Sequence, residues 1–359
     1  MSDTIIIGMS GGVDSAVAAS VLVENGYNVE AIFMKNWDEE DEEFCTAAQD
    51  YKDALQVCET LDIPLRSIDL TDEYWDKVFK IFLEECEIGR TPNPDIICNK
   101  EIKFRAFLDY SLELGAKKIA TGHYAQIKTH DNNFQLLRGK DANKDQSYFL
   151  YRLDQYQVSK SIFPIGDLNK EYVREKANYL GFLNHDKKDS TGICFIGERN
   201  YRNFLMKFFD PQPGDIISDK GDIIGEHEGL MYYTYGQRQG LGIGGGHGNK
   251  EAPWYVSDKI ISENRLVVVQ GHEHPGLYHS SLTASNTNWI SGNPPVDIQN
   301  ITAKIRYRSK DTACNITTRS DNILVEFDTP KFAVAPGQSI VFYNNDICIG
   351  GGIIESRSN

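Results

Sequence analysis

The stretch IIIGMSGGVDSAVAA (residues 5–19) constrains the fold more than any other part of this 359-residue chain. Ile5–Met9 is an apolar, β-branched run that reads as a buried strand, and Ser15–Glu24 reads as a helix that Gly26 stops. Between them lie Ser10, Gly11, Gly12 and Asp14. A strand that passes through a short loop straight into a helix belongs to a parallel sheet, because the helix carries the chain back along the sheet. The pattern repeats. Val29–Met34, Leu65–Leu70 and Lys118–Thr121 read as further strands, with helices over Tyr51–Leu61, Thr71–Cys86 and Glu101–Leu114. The first part is therefore expected to be α/β, a doubly wound parallel sheet with helices on both faces. Ligands bind such sheets at the carboxyl ends of the strands, which puts the loop after Met9, Met34 and Gly122 along one edge.

From Tyr124 the alternation loosens. Residues 126–138 read as a hairpin turning at Asp131–Asn133, and Leu168–Leu180 as a helix stopped by Gly181. After about residue 205 the runs are short and Gly, Pro and Asp become frequent, an all-β signature. Boundaries near 205 and 273 give a nucleotide-binding unit over 1–205, a small mainly-β central unit over 206–272 and a C-terminal β-barrel over 273–359.

The net charge of -15 and the pI of about 5.0 argue against broad, non-specific polyanion binding. Nucleic acid would have to meet local basic segments such as 117–128 and 304–310. In residues 301–308, Ile301, Ala303, Ile305 and Tyr307 share one strand face and Thr302, Lys304, Arg306 and Arg308 the other. That outer face suits phosphate contact, or equally plain solvation. The acidic run at 37–44 reads as a solvated loop. No apolar run reaches the ~20 residues of a membrane span. The first residues show neither a signal nor a transit peptide pattern, so a cytoplasmic, membrane-free chain is expected.

Gly-rich loops between a strand and a helix hold phosphates, because loop and helix N–H groups point at the anion. Gly11 and Gly12 let the backbone come close, and Ser10 and Ser15 add hydroxyl donors. Asp14 would meet phosphate through a bridging Mg²⁺. The lysine of GxxxxGK[ST] is missing after Gly12 and Val13, so γ-phosphoryl transfer is not the natural chemistry. SGGVDS (10–15) resembles the PP-loop of the ATP pyrophosphatase superfamily, which implies ATP cleaved between its α and β phosphates.

Seven scattered cysteines without a CxxC exclude a disulfide scaffold, a zinc ribbon and an iron–sulfur cluster as natural readings. Two have informative surroundings. In GRTPNPDIICNKEIKF (89–104), Pro92 and Pro94 are expected to hold Thr91–Asp95 extended, with Asp95 and Cys98 just ahead of a helix starting near Lys100. A thiol at a helix N-terminus is more acidic and more nucleophilic; a buried structural cysteine is the other reading. In KKDSTGICFIGERNYRNFL (187–205), Lys187, Lys188 and Arg199 would keep a Cys194 thiolate or persulfide charged, while Ile193, Phe195 and Ile196 would equally suit burial. Cys58 and Cys348 read as core, and Cys45, Cys86 and Cys314 lack comparable surroundings.

Together these segments resemble the bacterial tRNA-specific 2-thiouridylases over nearly the whole chain. The resemblance rests on GMSGGVDS (8–15), NPDIICNKEIKF (93–104), ATGHYA (120–125), KDQSYFL (144–150), STGICFIGERN (190–200) and YTYGQRQGLGIGG (233–245). It implies an ATP-dependent sulfurtransferase that adenylates oxygen 2 of the wobble uridine and replaces it with sulfur. Cys194 would carry a persulfide received from a sulfur-relay protein or cysteine desulfurase. Cys98 would then form a disulfide with Cys194 or release hydrosulfide; both routes fit. Asp95 would manage the uracil N3 proton. The nucleotide would meet Gly8, Met9, Ser10, Gly11, Gly12, Val13, Asp14, Ser15, Met34 and Gly122. Asn93, Pro94 and Asp95 would meet the target base. His123, Lys144, Asp145, Gln146, Arg306, Tyr307 and Gln338 match tRNA-contacting positions. The implied cofactors are ATP and Mg²⁺ with no tightly held metal or cluster, the partner is tRNA, and the expected state is a monomer. An amidating PP-loop synthetase would need neither the cysteine pair nor a barrel. A tRNA-binding or redox protein would release no AMP. A 4-thiouridine enzyme would carry further domains.

Overall fold

The computed structural model describes residues 3–37, 47–131, 133–189, 201–243, 252–295, 300–319 and 322–359. Strands β1 (Thr4–Met9), β2 (Asn28–Lys35), β3 (Leu65–Asp69) and β4 (Lys118–Ala120) are followed by a hairpin of β5 (Ala125–His130) and β6 (Asn133–Arg138), then by β7 (Ser161–Ile162). The order β3-β2-β1-β4-β7, with every pairing parallel, makes the expected doubly wound sheet. Helices α1 (Val13–Glu24) and α2 (Ala47–Leu61) pack on one face with Lys170–Tyr179. Their small residues, Ala16, Ala18, Ala19 and Ala54, are fully buried and let the helices lie close to the strands.

Two close approaches set the edge of this sheet. A Cβ on Gly122, just after β4, would lie 2.7 Å from the Asp14 carbonyl carbon and from the Ser15 nitrogen, so only glycine lets β4 meet the first turn of α1. Gly11 has φ +72°, and a Cβ there would lie 2.3 Å from the Asp50 carbonyl oxygen of α2.

Strands β8 (Gly214–Ser218), β9 (Ile223–His227), β10 (Trp254–Ile260) and β11 (Arg265–Gln270) form a four-stranded sheet ordered β10-β11-β8-β9. Strands β12 (Tyr278–Trp289), β13 (Ile301–Lys304), β14 (Thr312–Arg319), β15 (Asn322–Phe332), β16 (Ser339–Asn344) and β17 (Ile347–Ser358) close into an antiparallel barrel, because β12 pairs with both β15 and β17. The expected hairpin at 126–138 is present, but it does not stand alone. β6 pairs with β17 through Leu136↔Cys348 and Leu137↔Ile347, so the hairpin extends the barrel sheet. Leu136 is fully buried there, and local periodicity could not foresee a partner so far along the chain.

Two expectations are corrected. The helix expected from Lys100 starts at Pro94, and runs as Pro94–Cys98, a wider π-helical stretch Asn99–Ala106, and Phe107–Glu113. Proline is tolerated at the first helical position because its missing N–H would be unbonded anyway. Asn93 caps the start, its side-chain oxygen accepting from the Ile96 N–H at 3.4 Å. The strand expected through 301–308 ends at Lys304, where Ser309 donates back to the Arg306 carbonyl and turns the chain.

The segment 89–93 lies where the three β systems meet. Thr91 N–H donates to the Pro336 carbonyl (2.9 Å), and Gln338 donates to the Thr91 carbonyl (2.8 Å). Lys259 Nζ donates to the Gly89 carbonyl at 2.8 Å. Arg90 reaches Glu85 (2.6 Å), Glu355 (2.6 Å) and the Ile354 carbonyl (3.2 Å). The bond from Arg90 holds the Glu355 carboxyl below its ordinary range.

Two outcomes are expected. Gly122→Ala should cost about 1–3 kcal/mol of stability and weaken ATP binding, checked by thermal melting and calorimetric titration. Arg90→Met should cost about 2 kcal/mol at neutral pH, because it leaves two carboxylates without their partner. That difference should shrink as the pH falls below the ordinary glutamate range, where Glu355 takes up a proton in both proteins and its depressed folded-state pKa no longer contributes. Denaturant melts at two pH values check it.

Candidate functional site

The loop after β1 has the form expected of an anion cradle. Gly12 sits at the N-cap of α1 with φ -88° and ψ 157° and offers no capping side chain, so the first-turn N–H groups face outward from the helix end. Ser15 Oγ donates to the Gly12 carbonyl (3.0 Å) and accepts from the Ser10 N–H (3.2 Å), which closes the loop on itself. Val13 and Ser15 are buried, while Ser10 is exposed at the tip. Gly11 is held from behind: its carbonyl accepts from Asn184 (2.9 Å) and from Lys187 Nζ (3.3 Å). The Met34 side chain covers Gly8, whose Cβ would lie 3.1 Å from Met34 Cε. Gly8, Met9–Ser15, Met34 and Gly122 are thus gathered at one edge.

A charge network absent from the linear pattern surrounds Asp14. Its carboxylate accepts from the buried Tyr124 hydroxyl (2.7 Å) and from Lys170 Nζ (2.7 and 2.9 Å). Lys170 also pairs with Asp189 (2.6 Å), which Lys144 (2.5 Å) and Arg174 (3.1 Å) reach as well. Burial would raise the Asp189 pKa, but Lys144 and Lys170 hold it below its ordinary value. Burial and the Asp14 charge push the Tyr124 phenol up, so it stays a neutral donor. Lys187 pairs with Asp50 (2.6 Å) and Asp53 (2.5 Å) of α2. Tyr124 and Asp189 lie in stretches the sequence singles out, but nothing there gave them a role and nothing marked Lys170; the three are scattered over 66 positions and meet only through the fold.

Asn93, Pro94, Asp95 and Cys98 all lie on the first turns of the helix that starts at Pro94. Cys98 is fully buried and belongs to the same hydrophobic core as Tyr74, Phe79 and Phe104. It is the fifth helical residue and not a residue ahead of the helix, so the expected helix-terminus position is not met. Pro92 and Asn93 line a cleft of about 400 Å³ with Ile97, Arg152, Gly337 and Ser339, between this helix and the barrel. Cys194 and Arg199 lie outside the described residues, as does Cys45. The other thiols are buried, and burial pushes Cys58 and Cys314 up to about 12 and Cys86 to about 11.

The remaining expected positions are largely occupied in holding the chain together. His123 is buried against Phe104 and Phe163, bonded to Thr121 at 2.7 Å, and burial holds it neutral. Asp145 accepts from the N–H groups of Gly139 and Ser147 (both 3.1 Å) and faces Arg138 and Lys304. Gln146 accepts from the Tyr124 N–H at 2.9 Å. Tyr307 packs on Phe149, ring centroids 4.4 Å apart, and burial lifts its phenol to about 12. Arg306 donates to the carbonyls of Tyr235 (2.9 Å) and Ala333 (2.8 Å), and burial lowers its pKa. The basic outer face expected at 301–308 is accordingly reduced to Arg308, since Lys304 and Arg306 turn inward. Among the described residues no three His, Cys, Asp or Glu side chains are grouped to hold a metal, and no helix is long and apolar enough to cross a membrane.

Family models match three consecutive stretches: a tRNA methyl transferase HUP domain over residues 3–198, a tRNA methyl transferase PRC-barrel domain over 202–270, and an aminomethyltransferase beta-barrel domain over 279–354. The chain is 54% identical over 356 residues to the tRNA-specific 2-thiouridylase MnmA of Hydrogenovibrio crunogenus, covering 98% of this chain and 94% of that protein. It is 55% identical over 363 residues to MnmA of Shigella dysenteriae, covering 99% of each. The MnmA of Methylococcus capsulatus is 53% identical over 363 residues, covering 100% of this chain and 98% of that protein. Similarity at this level, along the full length and across all three sheets, makes this chain a member of the tRNA-specific 2-thiouridylase MnmA family.

Proposed function

We propose that the chain is an ATP-dependent tRNA sulfurtransferase that converts the wobble uridine to 2-thiouridine, releasing AMP and pyrophosphate. The observation that carries the reading is the uncapped, glycine-built end of α1 at the strand edge, in a chain so similar to MnmA proteins. The uracil oxygen is a poor leaving group, and adenylation turns it into AMP. N–H groups of the loop Met9–Ser15 would stabilise the charge that develops on departing pyrophosphate. Met34, over Gly8, would pack on adenine, and Gly122 would face the nucleotide by its backbone. Asp14 is the one carboxylate on the loop. It would hold a Mg²⁺ that ATP brings on its own phosphates, which neutralises phosphate charge.

Asn93, Pro94 and Asp95 would receive the target base, extruded from the anticodon as other base-modifying enzymes require. The cleft beside Asn93 has room for such a base. Asp95 would take and return the N3 proton. A persulfide on Cys194 attacks carbon 2 and AMP leaves; Cys98 then attacks Cys194 to give a disulfide and the thiolated base. Alternatively, Cys98 attacks the persulfide first, and the hydrosulfide released attacks carbon 2. Either route ends in a Cys98–Cys194 disulfide that a cellular thiol reduces. A sulfur-relay protein or cysteine desulfurase would reload Cys194 in the cytoplasm, with the chain acting as a monomer. Given its bonds within the chain, Gln338 would act on tRNA by holding the 91–92 segment, while His123, Lys144, Asp145, Gln146, Arg306 and Tyr307 would shape the surface that tRNA meets.

Mass spectrometry of nucleosides from a strain lacking this gene should show 2-thiouridine lost and 4-thiouridine retained. Retention of 2-thiouridine would sink the reading. Cys98→Ser and Cys194→Ser should each lower thiolation of purified tRNA by at least about a hundredfold, while pyrophosphate release on first mixing with ATP and tRNA persists. Full thiolation by either variant would remove the two-cysteine chemistry.

A further inference from the structure

The loop between β1 and α1 supplies oriented N–H groups but no full positive charge, and the lysine that a Walker loop would carry is absent from it. A full charge reaches the same place from elsewhere. Lys170 is the first residue of the helix Lys170–Tyr179, and its backbone N–H donates to Asp141 at 3.0 Å, which fixes where its side chain starts. Its ammonium lies 2.7 and 2.9 Å from the two Asp14 oxygens and 2.6 Å from Asp189, and its side chain is 10% exposed. Asp14 belongs to the first turn of α1, the very turn whose N–H groups face an incoming anion.

We infer that Lys170 is the pyrophosphate-binding cation of this site, a role that rests on the ATP reading above. A polyphosphate entering the cradle brings negative charge against Asp14, and the ammonium between them can serve either anion. Asp189 shares its charge among Lys144, Lys170 and Arg174, so it anchors Lys170 without cancelling its charge. Lys170 therefore exchanges its Asp14 contact for an oxygen of the β,γ-phosphates, and Asp14 is released toward the metal side of the nucleotide. This supplies in space what the loop lacks in sequence. It also acts on the half of ATP that leaves, so AMP, which has no β,γ-phosphates, does not feel it. A lysine that merely ties α1 to the helix Lys170–Tyr179 would affect both ligands alike.

The test measures magnesium pyrophosphate and AMP binding to the full-length protein by calorimetry, with circular dichroism and melting as checks of folding. Lys170→Met should weaken pyrophosphate at least about tenfold, the scale of one lost charge-assisted contact, and move AMP less than about twofold. Equal weakening of both ligands, or unchanged pyrophosphate affinity, overturns the proposal. Lys170→Arg keeps the ion pairs with Asp14 and Asp189 and hence the fold, but its planar head differs in shape and reach. It should change pyrophosphate affinity at least about threefold with AMP unmoved, and no change there also overturns the proposal. If the unaltered protein binds neither ligand, the ATP reading falls, an outcome distinct from a failure of Lys170 alone.

Discussion

Arg90 joins parts of the chain that are otherwise separate. Its guanidinium takes Glu85 from the helical run before it and Glu355 with the Ile354 carbonyl from the barrel strand β17. Burial alone would weaken its charge, yet the two carboxylates hold the pKa above the ordinary value. On either side, Gly89 accepts from Lys259 of the four-stranded sheet, and Thr91 is bonded to Pro336 and Gln338. The helix that carries Asn93, Asp95 and Cys98 starts immediately after this knot. Its direction is therefore fixed from outside, by the barrel and the central sheet, and not by the parallel sheet alone. A buried thiol and a carboxylate one helical turn apart keep their relation to the cleft beside Asn93 only if that start does not move.

The nucleotide edge is held by a different device. Gly122 and Gly11 allow backbone to press on backbone, and the space a side chain would have used is filled by β4 and α2. Charges then close around the loop: Lys187 with Asp50 and Asp53 behind it, Lys170 with Asp14 and Asp189 at its side. Such partly buried pairs leave the loop little freedom to collapse, which keeps its N–H groups directed outward. The protein thus arranges the cradle before a ligand arrives, so less ordering is required on binding.

Much of this was legible in the sequence where the signal is local. The run Ile5–Met9 followed by SGGVDS predicts a strand, a cradle and a helix, and α1 begins within two residues of where Ser15 suggested. The parallel alternation and the all-β remainder follow from periodicity in the same way. What failed was local chemistry with two meanings and contacts with no local trace. Proline read as a helix breaker at 94, whereas at a first helical position it starts one. Arg306 and Lys304 read as a solvent-facing stripe, but carbonyls of Tyr235 and Ala333 and the Asp145 carboxylate draw them inward. Lys170 lies 156 residues from Asp14, a separation that no window spans. Resemblance named Gln338 and Gln146 but not what they hold in place; the structure shows each bonded to backbone of another segment.

The seam between the β5–β6 hairpin and the barrel has a consequence for synthesis. Leu136 and Leu137 find their strand partners at Cys348 and Ile347, and the buried hydroxyl of Tyr148 donates to the Ser339 carbonyl, 191 residues further on. On the ribosome the parallel sheet can assemble early, but one edge of its hairpin and the Tyr148 hydroxyl wait for strands made much later. Until then the nascent chain carries an unsatisfied strand edge and an aromatic surface, which are the features that recruit chaperones or a wrong neighbour. A ribosome that stalls before β17 would therefore leave a chain whose hairpin edge has no strand partner and is still adhesive.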